Sequence, residues 1–249
     1  MANRPLDGKV VLVTGGARRL GRQIAITLAE AGADVSITYR NSKAEAAQTA
    51  DALAALGAGA LAIECDVRSE DQVRAAVMAV AGSFGRLDVL VNNAAVFATE
   101  PLESLSVEAW DAVFAANTRG PFLVAREALP HLRATGGRIV NIGSLGGLRA
   151  WATHAHYCAS KAALHSLTQA MAKAFAPEVS VNCVAPGWVD MESEAREDAL
   201  TSAARFAART PMKRNGSAAD VAQAVLFFAA GPHFITGQIL GVDGGLSLS

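Results

Sequence analysis

Apolar runs of strand length alternate along this chain with longer segments of helical spacing. The runs fall near residues 9–14, 34–39, 60–65, 87–92, 138–143, 179–184 and 238–242. Strands that alternate with helix-length patterns predict a parallel sheet with helices on both faces, because a crossover between parallel strands needs a helix. Two helix starts are marked by capping patterns: Ser69 before Glu70-Asp71-Gln72, and Ser217 three positions before Asp220. The Ala-rich stretch from Ala44 to Ala60 has a regular spacing of Leu and Ala, which predicts a helix covering one sheet face. No linker, repeat or low-complexity segment interrupts the series, so the expectation is one α/β domain over residues 1–249.

The first strand carries the first piece of chemistry. Lys9-Val10-Val11-Leu12-Val13-Thr14 reads as a fully buried strand that stops at Gly15-Gly16, and a helix follows from about Leu20. A strand, a glycine turn and a helix N-terminus together offer backbone N–H groups and a helix dipole to a pyrophosphate. Gly15 permits the tight turn and Gly21 the close helix packing, while Arg19 stands where a further glycine is expected. At the end of the second strand, where a carboxylate would accept the ribose 2′-hydroxyl of NAD, the residue is Tyr39, followed by Arg40, Asn41 and Ser42. With Arg18 from the glycine turn, two guanidiniums and a hydroxyl can hold a 2′-phosphate, which predicts NADPH as cofactor.

The second piece is proton chemistry. Tyr157 and Lys161 are four positions apart in a run of helix formers, so both leave one face of one helix. A phenol with an ordinary pKa of about 10 is a poor acid–base catalyst near neutrality, and a nearby ammonium lowers it. Lys161 is the expected source of that charge. Ser144 follows the apolar strand of residues 138–142 and can hydrogen-bond a substrate oxygen as charge gathers there. Asn117 is expected to anchor a water that feeds protons to Lys161.

Taken in order, these motifs resemble the short-chain dehydrogenase/reductase family nearly end to end. The family's Thr-Gly-x-x-x-Gly-x-Gly turn matches residues 14 to 21 except at Arg19, and the later motifs also fit: Asp66, Asn92-Asn93-Ala94-Ala95, Asn117, Ser144, Tyr157 with Lys161, Pro186-Gly187 and the tail to Gly245. The resemblance implies a doubly wound Rossmann fold with one mostly parallel seven-stranded sheet. It also implies hydride transfer from a nicotinamide while Tyr157 donates a proton, Ser144 orients the acceptor and Lys161 holds the nicotinamide ribose. Asp66 and Val67 would lie beside the adenine. Asn92, Asn93, Ala94 and Ala95 would lead towards the nicotinamide, with Gly15, Arg18, Arg19 and Leu20 at the pyrophosphate. Pro186, Gly187 and the backbone of Val189 would border the carboxamide. Met191 stands where the family commonly has Thr, which removes a hydroxyl contact to the cofactor.

Composition narrows the alternatives. The 249 residues are 51% hydrophobic, enough for a large core, and the formal net charge of −1 is scattered rather than gathered into the basic surface that nucleic acid requires. The longest apolar run, Ala52 to Ile63, is too short to cross a bilayer, and no apolar leader precedes the first strand, so a cytoplasmic protein is expected. Cys65, Cys158 and Cys183 sit in apolar contexts and read as reduced thiols. His154 and His156 find no third partner at metal-ligand spacing, so no metal is expected.

Residues 188–212 correspond by resemblance to a variable lid over the substrate. Phe97, Trp151, His154 and Trp188 are the pocket aromatics expected beside Ser144. Arg19 and Phe97 pull towards the pteridine reductases, in which the arginine meets cofactor phosphate and the aromatic stacks on a pterin. Ser144, where that subgroup typically carries Asp, pulls back towards reduction of a small ketone or 3-oxoacyl thioester. A non-catalytic NADPH-binding sensor would have no use for the intact set of Asn117, Ser144, Tyr157 and Lys161. The family resemblance further implies a homotetramer, with the helices around 106–133 and 155–176 pairing across one interface and the C-terminal strand region forming another. The apolar run from Phe234 to Leu240 would suit such an interface.

Overall fold

The computed structural model describes residues 4–190 and 197–248. Seven parallel strands form one sheet in the order β3-β2-β1-β4-β5-β6-β7. They are β1 (Val10–Val13), β2 (Asp34–Tyr39), β3 (Ala60–Glu64), β4 (Val89–Asn92), β5 (Arg138–Ile142), β6 (Ser180–Pro186) and β7 (Ile239–Val242). All seven coincide with the apolar runs of the sequence.

Side chains that alternate along each strand divide the core in two. Val11, Val13, Val35, Ile37, Val91 and Val140 face the layer of α1 (Arg19–Glu30), α2 (Lys43–Ala55) and α8 (Ala218–Ala230). Val10, Leu12, Leu90, Ile139 and Val181 face the layer of α3 (Glu70–Phe84), α5 (Gly120–Thr135) and α6 (Ala155–Phe175). Strands buried on both sides explain the near-continuous apolar runs. Both capping signals are real: Ser69 accepts the Gln72 N–H, and Ser217 and Asp220 form a reciprocal box.

Three boundaries differ from expectation. The helix expected over Ala44–Ala60 ends at Ala55, because Gly57 turns the chain with φ +81° and β3 must begin at Ala60 to pair with Val35. The helix expected around 106–133 is α4 (Val107–Phe114), a π turn at Ala115–Arg119, then α5. A π turn changes the backbone hydrogen-bond step and is a common feature of functional sites, and this one contains Asn117. The expected lid holds α7 (Glu197–Arg209). Met191 and the cofactor contact its side chain would forfeit lie outside the described residues.

The strand order reverses direction between β1 and β4, and the turns after these strands diverge to opposite faces. A crevice therefore opens above their C-terminal ends, the place where open α/β sheets bind ligands.

Candidate active site

The crevice is a cleft of about 360 Å³ lined at one end by the glycine turn and at the other by Asn93, Ala94, Ala95 and Val96. Gly15 has φ +65°, and a Cβ there would press on the Ala94 backbone. A Cβ on Gly21 would overlap the Gly15 carbonyl oxygen and crowd the Asn93 amide. Only glycine lets these three segments meet. The turn is held from below by Thr14, whose hydroxyl accepts the N–H groups of Asn93 and Ala94, both at 3.0 Å, and by Thr38, whose hydroxyl accepts the Gly15 N–H at 3.2 Å.

At the N-terminus of α1, Arg18 provides no side-chain cap and the first turn contains no acidic residue. The N–H groups of the first turn and the positive dipole end therefore face the cleft with no acidic residue in that turn, and the cradle fits a dinucleotide pyrophosphate. Arg18, Arg19 and Leu20 line that end, and Arg19 takes the left-handed conformation (φ +50°) in place of the glycine expected there. Tyr39, Arg40, Asn41 and Ser42 line the side above β2, with no carboxylate among them. Val67 and Asp66 close the opposite wall. Asp66 is gripped by the Arg68 guanidinium (2.5 to 3.0 Å), which together with Arg40 holds its carboxyl below the usual range. Asn92, expected along this path, instead turns into the sheet, where its amide donates to Asn141 Oδ1 at 2.9 Å. Strand alternation decides that outcome and leaves Asn93 at the cleft.

Asn117 joins the cleft to the proton-transfer residues. Its Oδ1 accepts the Val96 N–H at 2.8 Å, and its amide donates to Val96 O at 2.9 Å and to Ser160 Oγ at 3.0 Å. Both amide hydrogens are thus spent inside the protein, and the side chain fixes the cleft wall against α6. On the same helix, the Tyr157 ring lies with the Ser144 hydroxyl beside Gly146, and the Lys161 Nζ donates to the Ile142 carbonyl at 2.7 Å while lying 5.8 Å from the Tyr157 ring centroid. Ser144 Oγ is itself oriented by the Gly146 N–H at 3.0 Å.

The electrostatics correct one expectation. Burial pushes the Tyr157 phenol up, and the nearby Ser144 hydroxyl rather than Lys161's charge pulls against this. Lys161, fully enclosed, is itself brought down to about 8 by desolvation. At that value Lys161 is still mostly an ammonium at pH 7, whose charge acts on His165 and Cys183, yet it stands close enough to neutrality to pass a proton on.

His165, absent from the sequence reading, supports the Ser144 loop from beneath. Its Nε2 accepts the Ser144 N–H at 3.4 Å, and a Cβ at Gly143 or Gly147 would run into the imidazole. Burial, with Lys161's charge second, holds it at about 4. Between an unfolded pKa of about 6.5 and that value, the unfolded chain binds a proton the folded chain does not. Stability should therefore fall as pH drops from 6.5 towards 4, by about 1.4 kcal/mol per unit from this group, and be intact above 6.5. Urea midpoints at pH 7 and pH 5 check this: His165→Gln should lose less on acidification than the parent, and equal losses would refute it.

Pro186, at the end of β6, and Gly187 continue the sheet edge towards the same side, where a Cβ on Gly187 would press on Asp243. Val189 pairs with Gly216 in an isolated parallel bridge. The pocket aromatics are brought together. Phe97 meets Tyr157 edge-on with ring centroids 4.8 Å apart and lies 4.8 Å from His154, which Trp151 meets edge-on at 5.6 Å. Trp188 stacks at 4.5 Å on Phe206, a residue the sequence did not single out because a lid residue has no pattern to mark it. Arg68 and Ser160 were also missed, although their spacing from Asp66 and Tyr157 was a usable signal.

Ser144, Tyr157 and Lys161 thus stand together beside a cleft whose glycine turn fits a dinucleotide. The chain belongs to the short-chain dehydrogenase/reductase family: residues 15–247 match the family model described as enoyl-(acyl carrier protein) reductase. It is 36% identical to versicolorin reductase 1 of Dothistroma septosporum over 98% of this chain and 97% of that one. It is 37% identical to the 3-oxoacyl-acyl-carrier-protein reductase FabG of Staphylococcus aureus over 96% and 98% of the two chains. The crystallised short-chain dehydrogenase/reductase of Serratia marcescens BCRC 10948 superposes with a TM-score of 0.91 at 38% identity, covering 98% and 99% of the chains. No helix among the described residues is long and apolar enough to cross a membrane.

Proposed function

We propose that this protein is an NADPH-dependent carbonyl reductase acting on a small ketone or 3-oxoacyl thioester, with Tyr157 as general acid. The observation that carries the reading is the gathering of Ser144, Tyr157 and Lys161 around Gly146 and the end of β5, on a helix that Asn117 ties to the cofactor cleft. When bound, the nicotinamide supplies a hydride to the carbonyl carbon. Tyr157 gives the carbonyl oxygen its proton, so the C=O π bond is exchanged for one C–H and one O–H bond. A phenol raised by burial stays protonated at neutral pH, the form reduction needs. Ser144 Oγ, preset by Gly146, hydrogen-bonds the same oxygen as charge develops there. Lys161, poised at about 8, returns a proton to Tyr157, and Asn117 acts by positioning. The 2′-phosphate would be held by Arg18, Arg40 and Ser42, since the cleft offers no carboxylate above β2 to a free 2′-hydroxyl.

A second reading, reduction of a dihydropterin, draws on Arg19 lining the cleft and Phe97 standing exposed beside Tyr157. NADPH oxidation followed optically with a short 3-ketoacyl thioester, a simple ketone and a dihydropterin separates the two. Turnover of a carbonyl substrate alone is expected; turnover of the pterin alone would reverse the assignment.

The protein is further proposed to be a homotetramer. Val107 and Phe122 on the outer helices are exposed, as are Phe234 and Leu240 near the C-terminal strand, with Phe234 at 100%. Light scattering at micromolar concentration should give four times the chain mass, and a monomer would sink this. A cytoplasmic location accords with the proposed use of NADPH.

A further inference from the structure

Five rings form a wall that ends on the proposed acid. From the outside inward, Trp188 stacks on Phe206 with planes 16° apart, Phe206 lies 6.5 Å from Trp151, Trp151 meets His154 edge-on, and His154 lies against Phe97, which meets Tyr157 edge-on. Each ring-to-ring step is between 4.5 and 6.5 Å, so the wall is longer than a single six-membered ring. Phe97, next to the reacting hydroxyl, is 59% exposed.

The wall carries no full charge. Both nitrogens of His154 are engaged by the hydroxyls of Thr99 and Thr153, at 2.9 and 3.0 Å, and burial lowers its pKa, so it is neutral at pH 7. The nearby carboxylate, Asp190, stands at the outer end and accepts from Trp188 Nε1 and the Asn215 amide. Among the described residues, no guanidinium or ammonium stacks on these five rings. An aliphatic chain would gain only buried area, whereas a flat conjugated ring also gains offset and edge-on contacts worth about 0.5–1.5 kcal/mol a pair.

We infer that, within the carbonyl-reductase reading, the substrates of this site are neutral ketones borne on a planar aromatic system of more than one ring. The ring system lies along Phe97, Trp151 and Phe206, and its carbonyl reaches Ser144 and Tyr157. Two rings from α7 and the strand-end turn, Phe206 and Trp188, complete the far half of the wall, which makes substrate choice depend on that helix.

The probes are 2-acetonaphthone and its fully saturated decalin analogue, which share a carbon skeleton and differ in aromaticity. Conjugation makes the aryl ketone the poorer hydride acceptor, so KM rather than kcat is compared. The aryl ketone should have the lower KM by about tenfold, and Trp151→Leu and Phe206→Leu should each shrink that ratio towards one. Equal KM values in the parent, or a ratio untouched by both substitutions, would overturn the inference while leaving carbonyl reduction standing. Binding is read separately from turnover by quenching of tryptophan fluorescence in the presence of NADP+, since two of the three tryptophans line the wall. Saturable quenching by 2-acetonaphthone that Phe206→Leu weakens would support the wall even if no NADPH were consumed, and carbonyl reduction alone would then fail. Absence of saturable quenching would overturn the wall itself.

Discussion

Replacing Tyr157 by phenylalanine should lower kcat by about 10³-fold, the usual worth of a positioned general acid, with the Kd for NADPH changed by less than about twofold. The substitution removes one oxygen and keeps the ring that Phe97 meets edge-on at 4.8 Å. Ser144 Oγ, which loses the phenol, still has the Gly146 N–H at 3.0 Å, so no buried hydroxyl is left without a partner. Lys161 keeps its bond to the Ile142 carbonyl. The cleft therefore survives while the proton source does not, and cofactor titration alongside turnover separates the two. Turnover within tenfold of the parent would place the acid elsewhere. This experiment also discriminates an enzyme from a cofactor-binding sensor, in which the same change would have no effect on function.

The second large effect is expected at the other end of the cleft. Replacing Arg18 and Arg40 together by alanine should raise KM for NADPH by about 100-fold and leave KM for NADH within about threefold. A charge-assisted hydrogen bond to a phosphate contributes about 1.5–3 kcal/mol when sheltered. Both guanidiniums are exposed, so we take the lower end, about tenfold each. Arg40 also acts on Asp66, whose carboxyl it helps to hold down, but Arg68 is the larger influence there and keeps Asp66 in place when Arg40 is removed. Parallel rises for both cofactors would mean that the arginines serve the pyrophosphate, and NADPH preference would need another source.

Much of this protein is legible in one dimension because its chemistry is carried by short local patterns. Seven apolar runs become seven strands, and in the inner strands such as β1, β4 and β6 burial on both faces requires side chains apolar almost throughout. The glycine turn is local in part: Gly21 approaches the Gly15 carbonyl within one strand-turn-helix unit and Gly15 turns the chain with φ +65°, although the Ala94 that crowds Gly15 comes from beyond β4. The i, i+4 placement of Tyr157 and Lys161 follows from helix geometry alone. The same holds for the lack of a carboxylate at Tyr39–Ser42 and for the caps at Ser69 and Ser217.

What folding alone decides is which distant groups meet and what burial does to their charges. Lys161 was expected to tune Tyr157, yet burial raises the phenol and brings Lys161 itself down to about 8. The π turn delivers the Asn117 amide to Val96 and Ser160, contacts that the motif alone does not announce. Asn92 and Asn93 are adjacent in sequence, and only the strand's alternation sends one into the sheet and the other to the cleft. His165 beneath Ser144 and Phe206 upon Trp188 join segments about 20 residues apart, and no periodicity within either segment announces the contact. Patterns in sequence specify backbone form because that form depends on near neighbours. Desolvation and side-chain contact depend on the whole packed chain, so the acid's strength and the pocket's lining appear only in three dimensions.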